Sequence, residues 1–245
     1  MNTYFQIPLA SEKRHLIVGD IHGRFDTFWD LLQSANYDPE KDIIYSVGDL
    51  IDRGPQSYEV LAFFQQKNTY AIRGNHEQMA YHPAWLNTWL HNGGVNCLQS
   101  LRDNNYDASW LKEYIQKLPF VIDVGSEGEE HAFRIVHAEI PLAWSEDEFQ
   151  NWMRKQHDRY DDYEHIMWSR SAITQARRNI GNLKPLLTEM EVSEDRSGRN
   201  IFCGHTPIPK VMTVGDMTYL DTYASFTMSM IDAVTKQVYT LPVKR

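Results

Sequence analysis

Two cysteines, Cys97 and Cys203, are all that 245 residues contain, and they stand far apart in no CxxC arrangement. That excludes a disulfide framework and a thiolate zinc site. Cys97 is followed by Arg102, one residue short of the cysteine–loop–arginine spacing of a thiolate phosphatase, and Cys203 has no arginine nearby. Positive charge is scarce too. The 24 Lys and Arg against 33 Asp and Glu leave a net charge of −9, which argues against a broad nucleic-acid groove, because backbone phosphates are held by clustered cations. No apolar run approaches the roughly 18 residues of a membrane span. The opening "MNTYFQIPLASEKRH" lacks the basic-then-apolar pattern of a secretory signal. A cytoplasmic protein with neither nucleic acid nor membrane as partner is the expectation. A P-loop GxxxxGK, a GxGxxG and a GxSxG are also missing, so nucleotide cradling and a serine elbow have no support. His76–Glu77 is followed by Ala80 where a zinc-protease helix needs its second histidine.

What is present is enough apolar matter for a sizeable core: 42% hydrophobic residues, with seven Trp, thirteen Tyr and ten Phe. We expect residues 1–245 to form one domain, with helical insertions near 78–118 and 140–196. Arg14 to Gly19, Asp42 to Gly48 and Thr69 to Arg73 read as buried strands. Between them, "FDTFWDLL" spaces Phe25, Phe28, Trp29 and Leu32 at helical intervals, and Pro55 opens a second helix through Phe64. Strand–helix–strand–helix–strand implies parallel pairing, with ligands bound beyond the carboxyl ends of the strands. Trp85 to Cys97 and Trp110 to Leu118 read as helices, 120–124 and 132–137 as strands, and 145–196 as a charged, mostly helical stretch. Five short runs from Asn200 to Leu241 read as strands in antiparallel order. The predicted fold is mixed α/β or α+β: a two-layered β core, a β-sandwich, flanked by helices.

Chemistry gathers where those strands end. "GDIHGR" places Asp20 and His22 past the first strand, "GDLIDRGP" places Asp49 past the second, and "RGNHEQM" places Asn75 and His76 past the third. "RIVHAE" and "GHTP" add His137 and His205. Any one of these is as well explained as a turn or cap. Several in succession, all aimed past strand ends, point to a metal site. Carboxylate, imidazole and amide oxygen suit Mn²⁺, Fe or Zn²⁺. Two ions held about 3.5–4 Å apart need a shared ligand, for which Asp49 is our choice.

In that order, "GDIHGR", "GDLIDRGP", "RGNHEQM", the lone His137 and "GHTP" resemble the metal-dependent serine/threonine protein phosphatases among the calcineurin-like metallophosphoesterases, and most closely the phage and enterobacterial ones. "LHNGG", "MWSR" and "YLDT" extend the similarity over most of the chain. The resemblance implies a dinuclear centre, with Mn²⁺ the first choice, on Asp20, His22 and Asp49 for one ion and on Asp49, Asn75, His137 and His205 for the other. It implies in-line attack by a hydroxide held between the metals, with no phosphoenzyme. His76 would be the general acid, oriented by Asp52, and Arg53 and Arg170 would bind the phosphate. The implied partner is a phosphoprotein or phosphopeptide bearing phosphoserine or phosphothreonine, with phosphotyrosine and small monoesters as further substrates.

The rival reading is a symmetrical diadenosine-tetraphosphate hydrolase or another metallophosphodiesterase. Those hydrolases resemble this chain but typically lack the second acid of the GDxxDRG block, here Asp52. A catalytically silent phosphoprotein-binding module is a further alternative, disfavoured because every implied ligand, the acid and both arginines are retained. Arg73 is read either as support for the site or as a strand end. Asn92–Gly93–Gly94 is read as groove lining or a helix cap, and Asp161, Asp162, Glu164 and His165 as a solvated face before a third metal site. Two residues depart from the phage-type pattern: Tyr223 stands where glycine is usual, with the potential to reshape the substrate approach, and Glu139 where Asp is more familiar.

Overall fold

The computed structural model describes residues 4–141, 144–154, 164–179 and 199–244. Two sheets face each other. The five-stranded sheet runs in the order β11-β10-β2-β3-β4 and the six-stranded sheet in the order β1-β5-β6-β7-β9-β8. The first contains β2 (Arg14–Val18), β3 (Asp42–Ser46), β4 (Thr69–Ala71), β10 (Thr227–Asp232) and β11 (Val238–Pro242). The second contains β1 (Tyr4–Ile7), β5 (Val121–Val124), β6 (Phe133–Val136), β7 (Asn200–Cys203), β8 (Met212–Val214) and β9 (Met217–Tyr219).

Strand alternation explains the layers. Ile17, Tyr45, Ile122, Phe133, Ile135 and Phe202 fill the space between the sheets. Their neighbours point the other way: Leu16, Val18 and Ile44 meet one helical layer, and Val121, Val136, Ile201 and Cys203 meet another. Both faces of these strands are therefore covered, so they read as continuous apolar runs rather than alternating ones. Each such buried Ile or Leu stabilises the fold by about 1.5–3 kcal/mol.

Over the five-stranded sheet lie α1 (Phe25–Ser34), α2 (Ser57–Phe63), α3 (Asn75–Tyr81), α4 (Leu86–Trp89), α5 (Val95–Asp103) and α6 (Ala108–Lys117). In α1 the buried positions Thr27, Phe28, Leu31 and Leu32 form one stripe, and Phe28 packs edge-on to Phe63 of α2. Over the six-stranded sheet lie α7 (Glu146–Arg154), α8 (Glu164–Trp168) and α9 (Ser171–Asn179).

The parallel β2–β3–β4 core matches the expectation from sequence. The expected antiparallel order of the C-terminal strands is corrected. β7 pairs parallel with both β6 and β9, while β8–β9, β10–β11 and β10–β2 are antiparallel. A strand as short as β7 carries no local mark of its partners' direction; that is set by the long crossover feeding it. The helix expected over 85–97 is broken, because a wide π-type turn at Leu90–Gly94 contains non-helical Asn92 and left-handed Gly93. β1 was not foreseen; its four residues show no clear alternation. Asp161, Asp162, most of the polar loop 193–200 and part of the 140–196 insertion lie outside the described residues.

Candidate metal centre and active site

Every predicted ligand lies just beyond a strand's carboxyl end. Asp20 and His22 follow β2, Asp49 follows β3, and Asn75 and His76 open α3 after β4. From the other sheet His137 follows β6 and His205 follows β7. The structure brings all of them together, with His22, Asp49, Asn75, His76, His137 and His205 buried. Glycine makes the crowding sterically feasible at two points. A side chain at Gly74 would sit 2.3 Å from Asp49 Oδ1, and one at Gly204 2.0 Å from Asp20 Oδ1.

Asp49 occupies the middle. Its Oδ2 lies 3.6 Å from His22 Nε2, and its Oδ1 lies 3.4 Å from His137 Nε2. The carboxylate thus turns one oxygen to each side. His205 Nδ1 and His137 Nε2 both face Asn75 Oδ1, at 3.1 and 2.8 Å, and the His205 N–H donates to Asp20.

The donor set fits divalent cations. His22 Nδ1 donates to the Ile51 carbonyl at 3.0 Å, and His137 Nδ1 to the Val47 carbonyl at 2.8 Å. A carbonyl accepts only, so each ring carries its proton on Nδ1 and turns an Nε2 lone pair inward. For His137 that lone pair faces Asn75 Oδ1 and Asp49 Oδ1: three acceptors with no proton among them, an arrangement that a cation relieves. The electrostatics agree. Burial holds His22 and His137 below the usual imidazole range, and burial with His137 nearby takes His205 down to about 3. Burial, followed by Asp221 and Asp49, raises Asp20 well above the carboxylate range. Burial alone would raise Asp49 as well, but His137, His76 and His22 outweigh it and hold it low. Neutral imidazoles beside an ionised Asp49 are the state a metal site requires, and a bound cation would displace the proton that burial favours on Asp20.

Beside this cluster, His76 Nδ1 donates to Asp52 Oδ2 at 2.6 Å. Burial opposes protonation of His76, but Asp49 and then the bonded Asp52 raise its pKa. The other ring nitrogen, Nε2, stands 4.0 Å from Asp49 Oδ2 and 3.2 Å from an Arg53 nitrogen. Arg53 also reaches His22 Nε2 at 2.6 Å, so one guanidinium spans His76 and a candidate ligand. Asp52 and Arg53 are both left-handed, at φ 76 and 63, a strained pair of the kind that persists where surrounding contacts enforce it. Gly93 makes part of that enclosure, since a side chain there would come within 2.6 Å of the Arg53 backbone nitrogen. Arg170 is exposed at the rim and donates to the His205 carbonyl at 3.3 Å. Both arginines face a cavity of about 300 Å³ lined also by Met79, Trp85, Trp168 and Asp221.

Residues 13–228 match the family model described as calcineurin-like phosphoesterase. The chain belongs to that family. It is 33% identical to serine/threonine-protein phosphatase 1 of Salmonella typhimurium, over 89% of this chain and 90% of the relative. It is 32% identical to a symmetrical bis(5'-nucleosyl)-tetraphosphatase of Shewanella baltica, over 54% of this chain and 46% of that one. In fold it is similar to a protein serine/threonine phosphatase from Saccharomyces cerevisiae, with TM-score 0.63 and 16% identity over 100% of this chain and 85% of the other. The chain is a hydrolytic phosphoesterase, and the family implies divalent metal ions.

For a calcineurin-like phosphoesterase, three buried groups around the centre went unassigned from sequence. Asp221 follows β9, lines the cavity, and is pushed by burial up to about 6; its strand-end position was the available signal. Glu77 accepts the backbone N–H groups of Asp49, Leu50, Ile51 and Gly74 at 2.8–3.2 Å. Trp89 donates its indole N–H to both oxygens of Asp52, each at 2.9 Å. Three other readings are now resolved. Arg73 is a core residue, bonded to Gln78 and the Ile115 carbonyl and stacked on Tyr81 and Phe120. Asn92 lines the cavity. Tyr223 does not line it; its ring packs with Phe226 below the Arg24 guanidinium. Both cysteines are buried, with thiols raised well above their ordinary value, chiefly by burial.

Proposed function

We propose that this protein is a metal-dependent phosphoprotein phosphatase that hydrolyses phosphoserine and phosphothreonine. The observation that carries the reading is the 2.6 Å His76–Asp52 pair beside the candidate metal ligands. A serine or threonine alkoxide leaves poorly without a proton, and a positioned acid contributes about 10²–10⁴-fold to such a step.

In this reading Asp20, His22 and Asp49 hold one ion, and Asp49, Asn75, His137 and His205 the other. Mn²⁺ is the first choice, and Fe and Zn²⁺ accept the same donors. Bound divalent ions supply a water nucleophile at neutral pH and neutralise charge on the phosphoryl oxygens. The residues of the chain do the rest. Arg53 and Arg170, both lining the cavity, grip the phosphate with guanidinium forks. Asp52 fixes the proton on His76 Nδ1, so that Nε2 is the atom that protonates the departing oxygen.

A second reading, diadenosine-tetraphosphate hydrolysis, draws on the nucleosyl-tetraphosphatase relatives and on the aromatic pair Trp85 and Trp168. That pair stacks at 6.0 Å and 27° in the cavity wall, a surface suited to a planar base.

The test is phosphate release by metal-stripped protein, with and without added Mn²⁺, on a phosphothreonine peptide and on diadenosine tetraphosphate. Peptide turnover that needs metal and falls about 100-fold or more in His76→Asn supports the phosphatase reading. Preferential cleavage of the dinucleotide favours the second.

A further inference from the structure

The reading of His76 as general acid leaves open what holds Asp52 in place. A carboxylate rotates freely about its last side-chain bond unless both oxygens are engaged, and only one Asp52 oxygen meets His76. Trp89, itself 2% exposed, comes down from α4 and places its indole nitrogen 2.9 Å from each Asp52 oxygen. The indole anchors the head of the carboxylate through both oxygens, and with Oδ2 also bonded to His76 Nδ1 the two contacts together fix the line along which Oδ2 meets the ring.

Trp89 is held in turn by a second, independent feature. A side chain at Gly94 would lie 2.6 Å from two carbons of the indole and 2.9 Å from its nitrogen. Gly94 has an ordinary helical backbone, with φ −59 and ψ −25, so backbone conformation does not call for glycine there. Close approach of the ring does. The same segment reaches Arg53, since Asn96 Nδ2 donates to the Arg53 carbonyl at 2.6 Å. The wide turn at Leu90–Gly94 lets one short stretch serve both tasks, and such turns often occur at functional sites.

We propose that Trp89 is a positioning residue for the general acid: its indole N–H orients Asp52, and Asp52 aims the His76 ring at the leaving oxygen. The proposal rests on the phosphatase reading above. In that reaction the P–O bond to serine or threonine breaks and a bond from phosphorus to a water oxygen forms. The alkoxide takes the proton from His76 Nε2, and the proton lost by the water restores the ring through solvent. A misaimed ring slows the step in proportion to how much the leaving group needs that proton. Nitrophenolate needs it little, an alkoxide a great deal.

The experiment compares Trp89→Phe with wild type, both Mn²⁺-loaded, on a phosphothreonine peptide and on p-nitrophenyl phosphate. The expected result is a loss of about tenfold or more in kcat on the peptide, a part of the 10²–10⁴ available to general-acid catalysis, with a distinctly smaller loss on the nitrophenyl ester. In an Asp52→Asn background the same substitution should cost little further on the peptide, because the two act as one unit. Equal losses on both substrates, or full additivity with Asp52→Asn, overturn the proposal and make Trp89 a core residue only. Should Trp89→Phe fold poorly by Tm or Mn²⁺ content, Gly94→Ala displaces the indole without removing it. It must reproduce the substrate-selective loss, and a uniform loss there also overturns the idea. Wild-type protein inert toward both esters would sink the phosphatase reading itself and this proposal with it, a result distinct from an active wild type with an unselective variant.

Discussion

Glu77 and Glu139 are both fully buried, and each stands two residues past a candidate metal ligand, Asn75 in one case and His137 in the other. Glu77, on the five-stranded side, accepts the N–H groups of Asp49, Leu50, Ile51 and Gly74. It ties the loop after β3 to the start of α3 with backbone bonds alone. Glu139, on the six-stranded side, accepts from Ala172 N, Ile173 N, the hydroxyls of Ser169 and Ser171, and Tyr219 Oη. It ties the loop after β6 to the opening of α9, and so fixes the stretch that carries Arg170. The two halves use the same device at different range. On one side a buried acid locks candidate ligands against each other; on the other it locks a candidate-ligand strand to the stretch that carries Arg170. A longer side chain at Glu139 than the more familiar Asp is accounted for by that span.

The largest effect should come from the residue the halves share. Asp49→Asn is expected to lower kcat/KM on a phosphothreonine peptide by about three orders of magnitude, the several kcal/mol that metal charge stabilisation supplies. Metal analysis should show both ions depleted, whereas His22→Gln and His205→Gln should each deplete one more than the other. Equal depletion by all three would mean that Asp49 does not bridge.

The glutamates themselves come next. Glu77→Ala leaves four buried N–H donors without their acceptor, and at about 1–3 kcal/mol for each unsatisfied group it should cost at least about 4 kcal/mol. For a chain of this length Tm should fall by about 8 °C or more, with metal affinity falling too. Glu139→Ala should cost less stability, about 2 kcal/mol, since serine hydroxyls turn to other partners. Its mark should be a raised KM with metal content retained, as Arg170 loses its anchor. Metal loss in Glu139→Ala comparable to that in Glu77→Ala would dissolve the distinction between the halves.

Acid–base linkage gives a milder test of the metal centre as a whole. Burial raises Asp221 to about 6, and burial with Asp49 raises Glu77 to about 7. A raised carboxyl stabilises the fold fully below its unfolded pKa of about 4 and loses that contribution as pH rises through the folded value. His205, lowered to about 3, works in the opposite sense: its contribution is present above about 6.5 and is lost as pH falls toward 3. Metal-free protein should therefore lose Tm between about pH 6 and 8 as the carboxyls ionise unneutralised. Added Mn²⁺ should raise Tm more at pH 8 than at pH 6, because metal binding releases protons. An Mn²⁺ shift that is the same at both values would show that these carboxyls do not feel the ions.

How far each part could be read from sequence follows from the range of its contacts. The candidate ligands and His76 announce themselves because each sits just past an apolar run, in motifs a few residues long. Asp221 obeys the same rule after β9, but a strand of three residues gives too short an apolar run to mark its end. Trp89 gives no local sign of its partner, since its bond to Asp52 spans 37 residues. The Tyr219–Glu139 bond spans 80. The parallel placement of β7 between β6 and β9 depends likewise on crossovers and not on the strand's own four residues. Local chemistry was legible; the groups that hold it in position act across the chain.

Tyr223 gives the smallest expected effect. Its position after Asp221–Thr222, where glycine is usual, suggested that a bulky ring reshapes the substrate approach. In the structure Tyr223 is not among the residues that line the cavity; its ring packs edge-on with Phe226 at 5.5 Å and lies beneath the Arg24 guanidinium at 5.8 Å. What Tyr223 offers the site is its backbone N–H, which donates to Asp221 Oδ1 at 3.1 Å, and a glycine keeps that bond. Tyr223→Gly should then leave kcat/KM within about threefold across several phosphopeptides, a change below about 0.7 kcal/mol. Its measurable cost should be in stability, through lost ring contact and the added backbone freedom of glycine, at about 1 kcal/mol. A change of tenfold or more in the ranking of peptides would restore the ring to a role in substrate choice. It would also mean that the six-stranded half shapes specificity through the loop after β9.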